Sequence, residues 1–193
     1  GALSSLDALA EIYGKRDSWT ELKDILERRI QVSSPVDAPA WCARLGSLLI
    51  ERFDDLAAAR APLEGAFAGE GGNGKPGALT GEARRRAIEH LVAVYNKESE
   101  DGVADVDTVE KLAWALGELA GTLAGKERSA VRAELGDVLR SLERWREALQ
   151  AYEAALANDE GQERALNGIR AILDESKAPA QERNACARAL LGR

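Results

Sequence analysis

Apolar residues recur at spacings of three and four along almost the whole chain, and no run alternates with polar residues as a half-buried strand requires. The clearest stretch is residues 129–162. There Val131, Leu135, Val138, Leu139 and Leu142 share one face of a first helix, and Leu149, Tyr152, Ala155 and Leu156 share one face of a second. Gly136 and Ala148 place small side chains on those faces, where a neighbouring backbone can come closer than Leu would allow. The pattern predicts an antiparallel helix pair joined by a tight turn.

The same pattern repeats along the chain. Leu6, Leu9, Ala10 and Tyr13 form a helix face that Ser4 with Asp7 opens as a capping box and Gly14 closes. Ser18 with Glu21 reads as another capping box, ahead of a stripe of Trp19, Leu22, Ile25, Leu26 and Ile30 that stops at Ser33, Ser34 and Pro35. Trp19 stands as far beyond Ala10 as Trp145 stands beyond Gly136, which predicts that both tryptophans pack at an inter-helix turn. After Pro39 come Trp41, Leu45, Gly46 and Leu49, then Leu56, Ala58, Ala59, Leu63 and Phe67. This pair overlays the clearest one: Leu45–Gly46 on Leu135–Gly136, Leu49 on Leu139, Ala58 on Ala148, Ala61 on Ala151, and Glu70–Gly71 on Glu160–Gly161. Pro62 removes a backbone donor inside a helix and predicts a kink, at about 3 kcal/mol unless compensated.

A further pair carries Ile88, Leu91, Val92 and Tyr95, then Val109, Leu112, Ala113, Leu116, Leu119 and Leu123. Extra residues enter on either side of its first helix and predict flexible loops at 69–80 and 99–107. The last pair has Leu166, Ile169, Ile172 and Leu173, followed by a shorter helix from about Pro179 through Leu191, with Arg170 at the small-residue position.

Repetition in helical pairs of about 34 residues has a known counterpart. Leu135, Gly136, Leu139, Ala148, Tyr152 and Ala155 resemble the signature of the tetratricopeptide repeat (TPR) family, with Arg132 in place of an early aromatic and Glu160 in place of the closing proline. The resemblance implies an all-α, right-handed superhelix of about five helical hairpins and about ten helices. It spans residues 1–193 as one solenoid, with repeats at approximately 3–35, 36–70, 80–124, 127–160 and 161–191. It further implies a scaffold for protein–protein interaction, holding a segment of another protein in a concave groove lined by the first helix of each pair.

Carried onto this sequence, the inward positions are Asp7, Glu11, Ala43, Ser47, Arg86, Glu89, Ala93, Asn96, Lys97, Ala133, Asp137, Arg164, Asn167 and Ala171. The polar set Arg86, Glu89, Asn96, Lys97, Asp137, Arg164 and Asn167 is the candidate partner-binding site. Family members that bind chaperone tails clamp a carboxylate with Lys and Asn. Here Ala43 with Ser47, and Ala133 with Asp137, occupy those places, which disfavours chaperone tails. The alternative reading is a structural spacer or oligomerisation segment of a larger repeat protein, with no groove ligand.

Composition narrows the partner. A net charge of −7 argues against general affinity for nucleic acid or anionic membrane, and no apolar stretch approaches the roughly 18 residues that span a bilayer. The expected partner is a protein or peptide segment. Leu190 and Leu191 near one end also offer a route to self-association. Gly1 at the start and the absence of Met suggest a piece of a longer protein, and the excess of Arg over Lys amid abundant Ala and Gly suggests a bacterial source. Cys42 and Cys186 lie on helices far apart in a linear stack, so they read as small buried hydrophobes that do not pair, which favours a reducing, cytoplasmic setting.

Several stretches mimic catalytic or cofactor chemistry without completing it. Gly69 to Lys75 has the glycine and lysine spacing of a phosphate-binding loop, but Pro76 stands where Ser or Thr would hold magnesium and a helix precedes it, so it reads as a loop. Glu98, Glu100, Asp101, Asp105 and Asp107 lack the order of a calcium loop and read as carboxylates ahead of a helix N-terminus. His90 is a groove or packing residue with no Ser or Cys in dyad spacing. No enzyme, cofactor or metal constellation emerges. Arg84, Arg85 and Arg86 oppose the dipole of the helix they open; pairing with Glu82, Glu89 or the acidic loop is the favoured explanation, and recognition of a carboxylate or phosphate on a partner peptide is the alternative.

Overall fold

The structure, a computed structural model, describes residues 2–68 and 79–192. The phosphate-loop mimic at Gly69 to Lys75, Pro76 and most of the 69–80 loop lie outside the described residues. Among the described residues there are ten α-helices and no strand. They are α1 (Ala2–Lys15), α2 (Trp19–Gln31), α3 (Ala38–Phe53), α4 (Leu56–Ala66), α5 (Gly81–Glu100), α6 (Val106–Thr122), α7 (Gly125–Ser141), α8 (Trp145–Asn158), α9 (Glu163–Asp174) and α10 (Ala180–Leu191).

Contacts separate residues 1–94 from residues 95–193 as two compact units, with the boundary falling inside α5. In the first unit α1 packs on α2, α2 on α3 and α3 on α4. In the second, each helix from α6 to α10 packs on the next, and α7 also meets α9 while α8 meets α10. Within each unit these helices bury their apolar stripes against neighbours in sequence order, as the helices of a solenoid do.

Glycines mark the closest helix crossings. A Cβ on Gly46 of α3 would fall 2.5 Å from Cγ of Leu63 on α4, whose side chain is fully buried. In the second unit the ring of Tyr152 on α8, also fully buried, lies against Gly136 of α7 on one side and Gly168 of α9 on the other. A Cβ at either glycine would enter the ring. Arg170, at the expected small-residue position of α9, is exposed; the close approach is made through Gly168 instead.

The turns repeat as well. Asp17, Gly102 and Glu143 adopt φ of 55°, 71° and 58°, and each is followed by the same closure. The Ser18 amide donates to the Tyr13 carbonyl, Val103 to Glu98 and Arg144 to Leu139, all at 3.0 Å. At Asp54, φ 53°, the bond reaches one residue further, from Asp55 to Leu49 at 3.0 Å. Trp19 and Trp145 are each the first residue of the helix that follows such a turn. Arg52 stacks 4.4 Å from the Trp19 ring, and Trp145 packs on the core of the second unit.

Local expectations were met unevenly. Asp55 and Asp105 cap α4 and α6, their carboxylates accepting from the amides of Ala58 and Thr108 at 2.8 Å. The capping boxes differ: α1 is already helical at Ala2, ahead of Ser4, and Ser18 makes no side-chain cap bond. Helix α4 runs through Pro62, with Ala59, Leu63 and Ala66 buried on both sides of it. Of residues 99–107, the first two end α5 and the last two begin α6, which leaves 101–105 as the connection between these helices.

Packing at the glycines predicts opposite signs for one substitution. Gly136→Ala gains helix propensity of about 1 kcal/mol yet places a methyl in the Tyr152 ring, so a net loss of about 1–3 kcal/mol is expected in urea unfolding. Gly117→Ala, with nothing within 4 Å of the added carbon, should stabilise by up to about 1 kcal/mol. In a Tyr152→Ala background the penalty at Gly136 should vanish.

Candidate partner-binding site

In the first unit α3 and α5 border a cleft of about 370 Å³. Helix α3 contributes Ala40, Ala43, Arg44 and Ser47, and α5 contributes Glu82, Ala83 and Arg86, with Leu79 just ahead of it. These positions recur at three and four residues, so one face of each helix forms a wall. Ala43 and Leu79 are buried at the floor, whereas Arg44, Glu82, Ala83 and Arg86 are exposed.

The three consecutive arginines have separate fates. Arg84 stacks 5.3 Å from the Phe67 ring, and Arg85 pairs with Glu89 at 2.8 Å, one turn along α5. Arg86 points to the cleft and has no ion pair among the described residues. Across from it Arg44 donates one N–H to the Ala10 carbonyl at 3.2 Å and stacks 5.7 Å from the Trp41 ring. Trp41 is shared: the guanidinium of buried Arg29 stacks 4.8 Å from the same ring while it binds Asp7 at 2.6 Å. Asp7, an inward position in the sequence, is thus held by α2.

His90 ties α5 to α3. Its Nδ1 is 3.1 Å from Ser47 Oγ, and its Nε2 is 3.7 Å from a Glu51 carboxylate oxygen. The carboxylate favours a proton on Nε2, which leaves Nδ1 to accept the Ser47 hydroxyl proton. Burial lowers the His90 pKa below its usual range, an effect that Glu51 opposes and Arg86 reinforces.

In the second unit each candidate residue has a polar partner within the unit. Asn96 donates to Glu134 at 2.7 Å, joining α5 to α7. Asp137 accepts from the Tyr152 hydroxyl and from Arg164 Nε, at 2.5 Å each. Asn167 accepts from Arg170 at 3.1 Å, and Lys97 turns along its own helix to Asp101 at 2.8 Å. Ala133 is fully buried and faces no groove.

Sequence reasoning missed Arg44 and the Ser47–His90 contact. Arg44 lies three residues from both Trp41 and Ser47, a spacing that places it on their side of α3. The histidine contact joins residues distant in sequence, and no local signal announces it.

Other chemistry is accounted for locally. Asp105 is a helix cap, and Asp107 pairs with Lys111 at 2.8 Å. Among the described residues no three His, Cys, Asp or Glu side chains cluster as metal ligands, and no helix is long and apolar enough to cross a membrane. Cys42 and Cys186 are free and buried; burial raises both thiols, Cys186 to about 11.

No family model and no curated protein matches this chain. Among solved structures, it is similar to a crystal structure of a Podosopora anserina putative kinesin light chain with nearly identical TPR-like repeats. The identity is 17%, the match covers 99% of this chain and 92% of that one, and the TM-score is 0.45.

The environment of Tyr152 generates a pH dependence. Burial first, then the Asp137 carboxylate, pushes the phenol pKa well above its ordinary value. The folded state therefore holds this proton more tightly than the unfolded chain. Its contribution to stability is complete below about pH 10 and is lost as pH rises beyond it. Urea midpoints should fall between about pH 10 and 11, and the fall should be shallower in Tyr152→Phe.

Proposed function

We propose that this chain is a protein–protein interaction scaffold whose first unit seats a segment of a partner protein in the α3–α5 cleft. The observation that carries this reading is the convergence there of Ala43, Ser47 and Arg86, three of the positions that the family resemblance turns inward. Arg86 brings a charge that has no ion pair among the described residues. The alanines and Leu79 offer an apolar floor, and burying it against a partner gains roughly 25 cal/mol per Å². Orientation then comes from the guanidiniums at the rim.

Among the other candidate residues, Asn96, Asp137 and Arg164 hold helix to helix within the second unit. Glu89, Lys97 and Asn167 would have to exchange bonds to their own helices before binding anything. They contribute less to recognition than Arg86 in this reading.

A peptide-display selection against the whole chain supplies ligands for the test. Ala83→Trp, which fills the cleft from an exposed position, and Arg86→Ala should each weaken the selected peptides about tenfold or more, a loss of about 1.4 kcal/mol. Melting temperatures should stay close to that of the parent, and Asn167→Ala should bind as the parent does. Selected peptides that bind both cleft variants undiminished would place the site elsewhere.

A further inference from the structure

Ser47 gives the α3–α5 cleft a hydroxyl whose hydrogen is already committed to His90. With the imidazole neutral, Ser47 donates to Nδ1 at 3.1 Å, and its oxygen shows the cleft only lone pairs. A carboxylate approaching Arg44 and Arg86 would meet those lone pairs and be repelled. Once His90 takes a proton from solvent, Nδ1–H becomes the donor, Ser47 Oγ accepts, and the hydroxyl hydrogen is free to turn toward the cleft. The wall then presents three donors instead of two donors and an acceptor.

Charge complementarity favours an acidic occupant, because among the described residues two exposed guanidiniums line the cleft against one carboxylate, that of Glu82. The charged groups around His90 are Glu51 on α3 and Arg86 and Glu89 on α5, and Glu89 is already engaged by Arg85.

We propose that the cleft seats an acidic side chain of a partner protein, and that the Ser47–His90 pair makes its grip tighten in mild acid. This rests on the reading of the cleft as the docking site. The lowered pKa of His90 supports it by keeping the imidazole neutral near pH 7. A bound carboxylate stabilises the imidazolium, so complex formation takes up a proton as pH falls toward and through the histidine's range. His90 acts through Ser47 and is a positioning residue.

His90 is the only histidine in the sequence, so its ring signals in an NMR titration of the intact chain are unambiguous. The probe is an acetylated, amidated hexapeptide of alternating Gly and Glu, with Gln in place of Glu as its neutral counterpart. Its Glu carboxylates stay ionised between about pH 5.5 and 7.5.

Three results are expected. The Glu peptide should bind at least about tenfold tighter than the Gln peptide and severalfold tighter at the acidic end of that range. It should also raise the His90 titration midpoint, and His90→Gln should flatten the pH profile. Equal affinity for both peptides, or no binding by either, would overturn the acidic occupant. A Glu peptide bound equally across the range, with the His90 midpoint unmoved, would overturn the coupling. In each of these cases the display-selected peptides still judge the docking reading separately.

Discussion

A helix crossing that leaves no room for a side chain is the constraint on which this structure depends. Leu63 over Gly46, and Tyr152 between Gly136 and Gly168, are large fully buried groups seated directly on backbone. Such contacts fix the height at which one helix crosses another, because sliding either helix by a residue would drive the large group into a Cβ. Apolar stripes supply most of the burial, and they would tolerate several registers. The glycines select one. Tyr152 does this for three helices at once, and its hydroxyl extends the selection to polar groups by holding Asp137, which in turn holds Arg164 on α9.

The helices and their pairing were legible because both depend on residues near one another in sequence. The three- and four-residue spacing of Leu22, Ile25 and Leu26, or of Leu149, Tyr152 and Leu156, survives any context. The small residue one position after Leu45 or Leu135 is equally local. Two kinds of feature escaped. Capping at Ser4 was misplaced because a Ser three residues before an acid suits a helix interior as well as its start, and Asp7 found a stronger partner in Arg29, whereas Ser18 does stand at the N-cap of α2 without a side-chain cap bond. The cleft was only half visible for a different reason. Arg86 and Ser47 were singled out by position, whereas their relation to Arg44 and His90 arises when α3 and α5 meet.

Charge is handled differently in the two units. In the second, Asp137 and Arg164 close on one another across α7 and α9, which contributes to register, and Lys97 turns to Asp101 on its own helix. In the first, the charge of Asp7 is drawn to buried Arg29. Taking that guanidinium out of water is costly, and the cost is offset by the 2.6 Å bond to Asp7, a second to Ser33 and the face of Trp41. The same ring carries Arg44 at the edge of the cleft. Anchoring Trp41 therefore does two jobs: it accommodates a buried cation and positions an exposed one.

The two cysteines add a property that has nothing to do with binding. Cys42 lies in the first unit and Cys186 in the second, each buried and each with a thiol held in its protonated, unreactive form. A thiol reagent can reach either one only when the helices around it part. The molecule thus carries one internal clock per unit. The rate at which each cysteine is alkylated under native conditions counts how often its own half of the chain opens, and two different rates from one sample would reveal how independently the halves breathe.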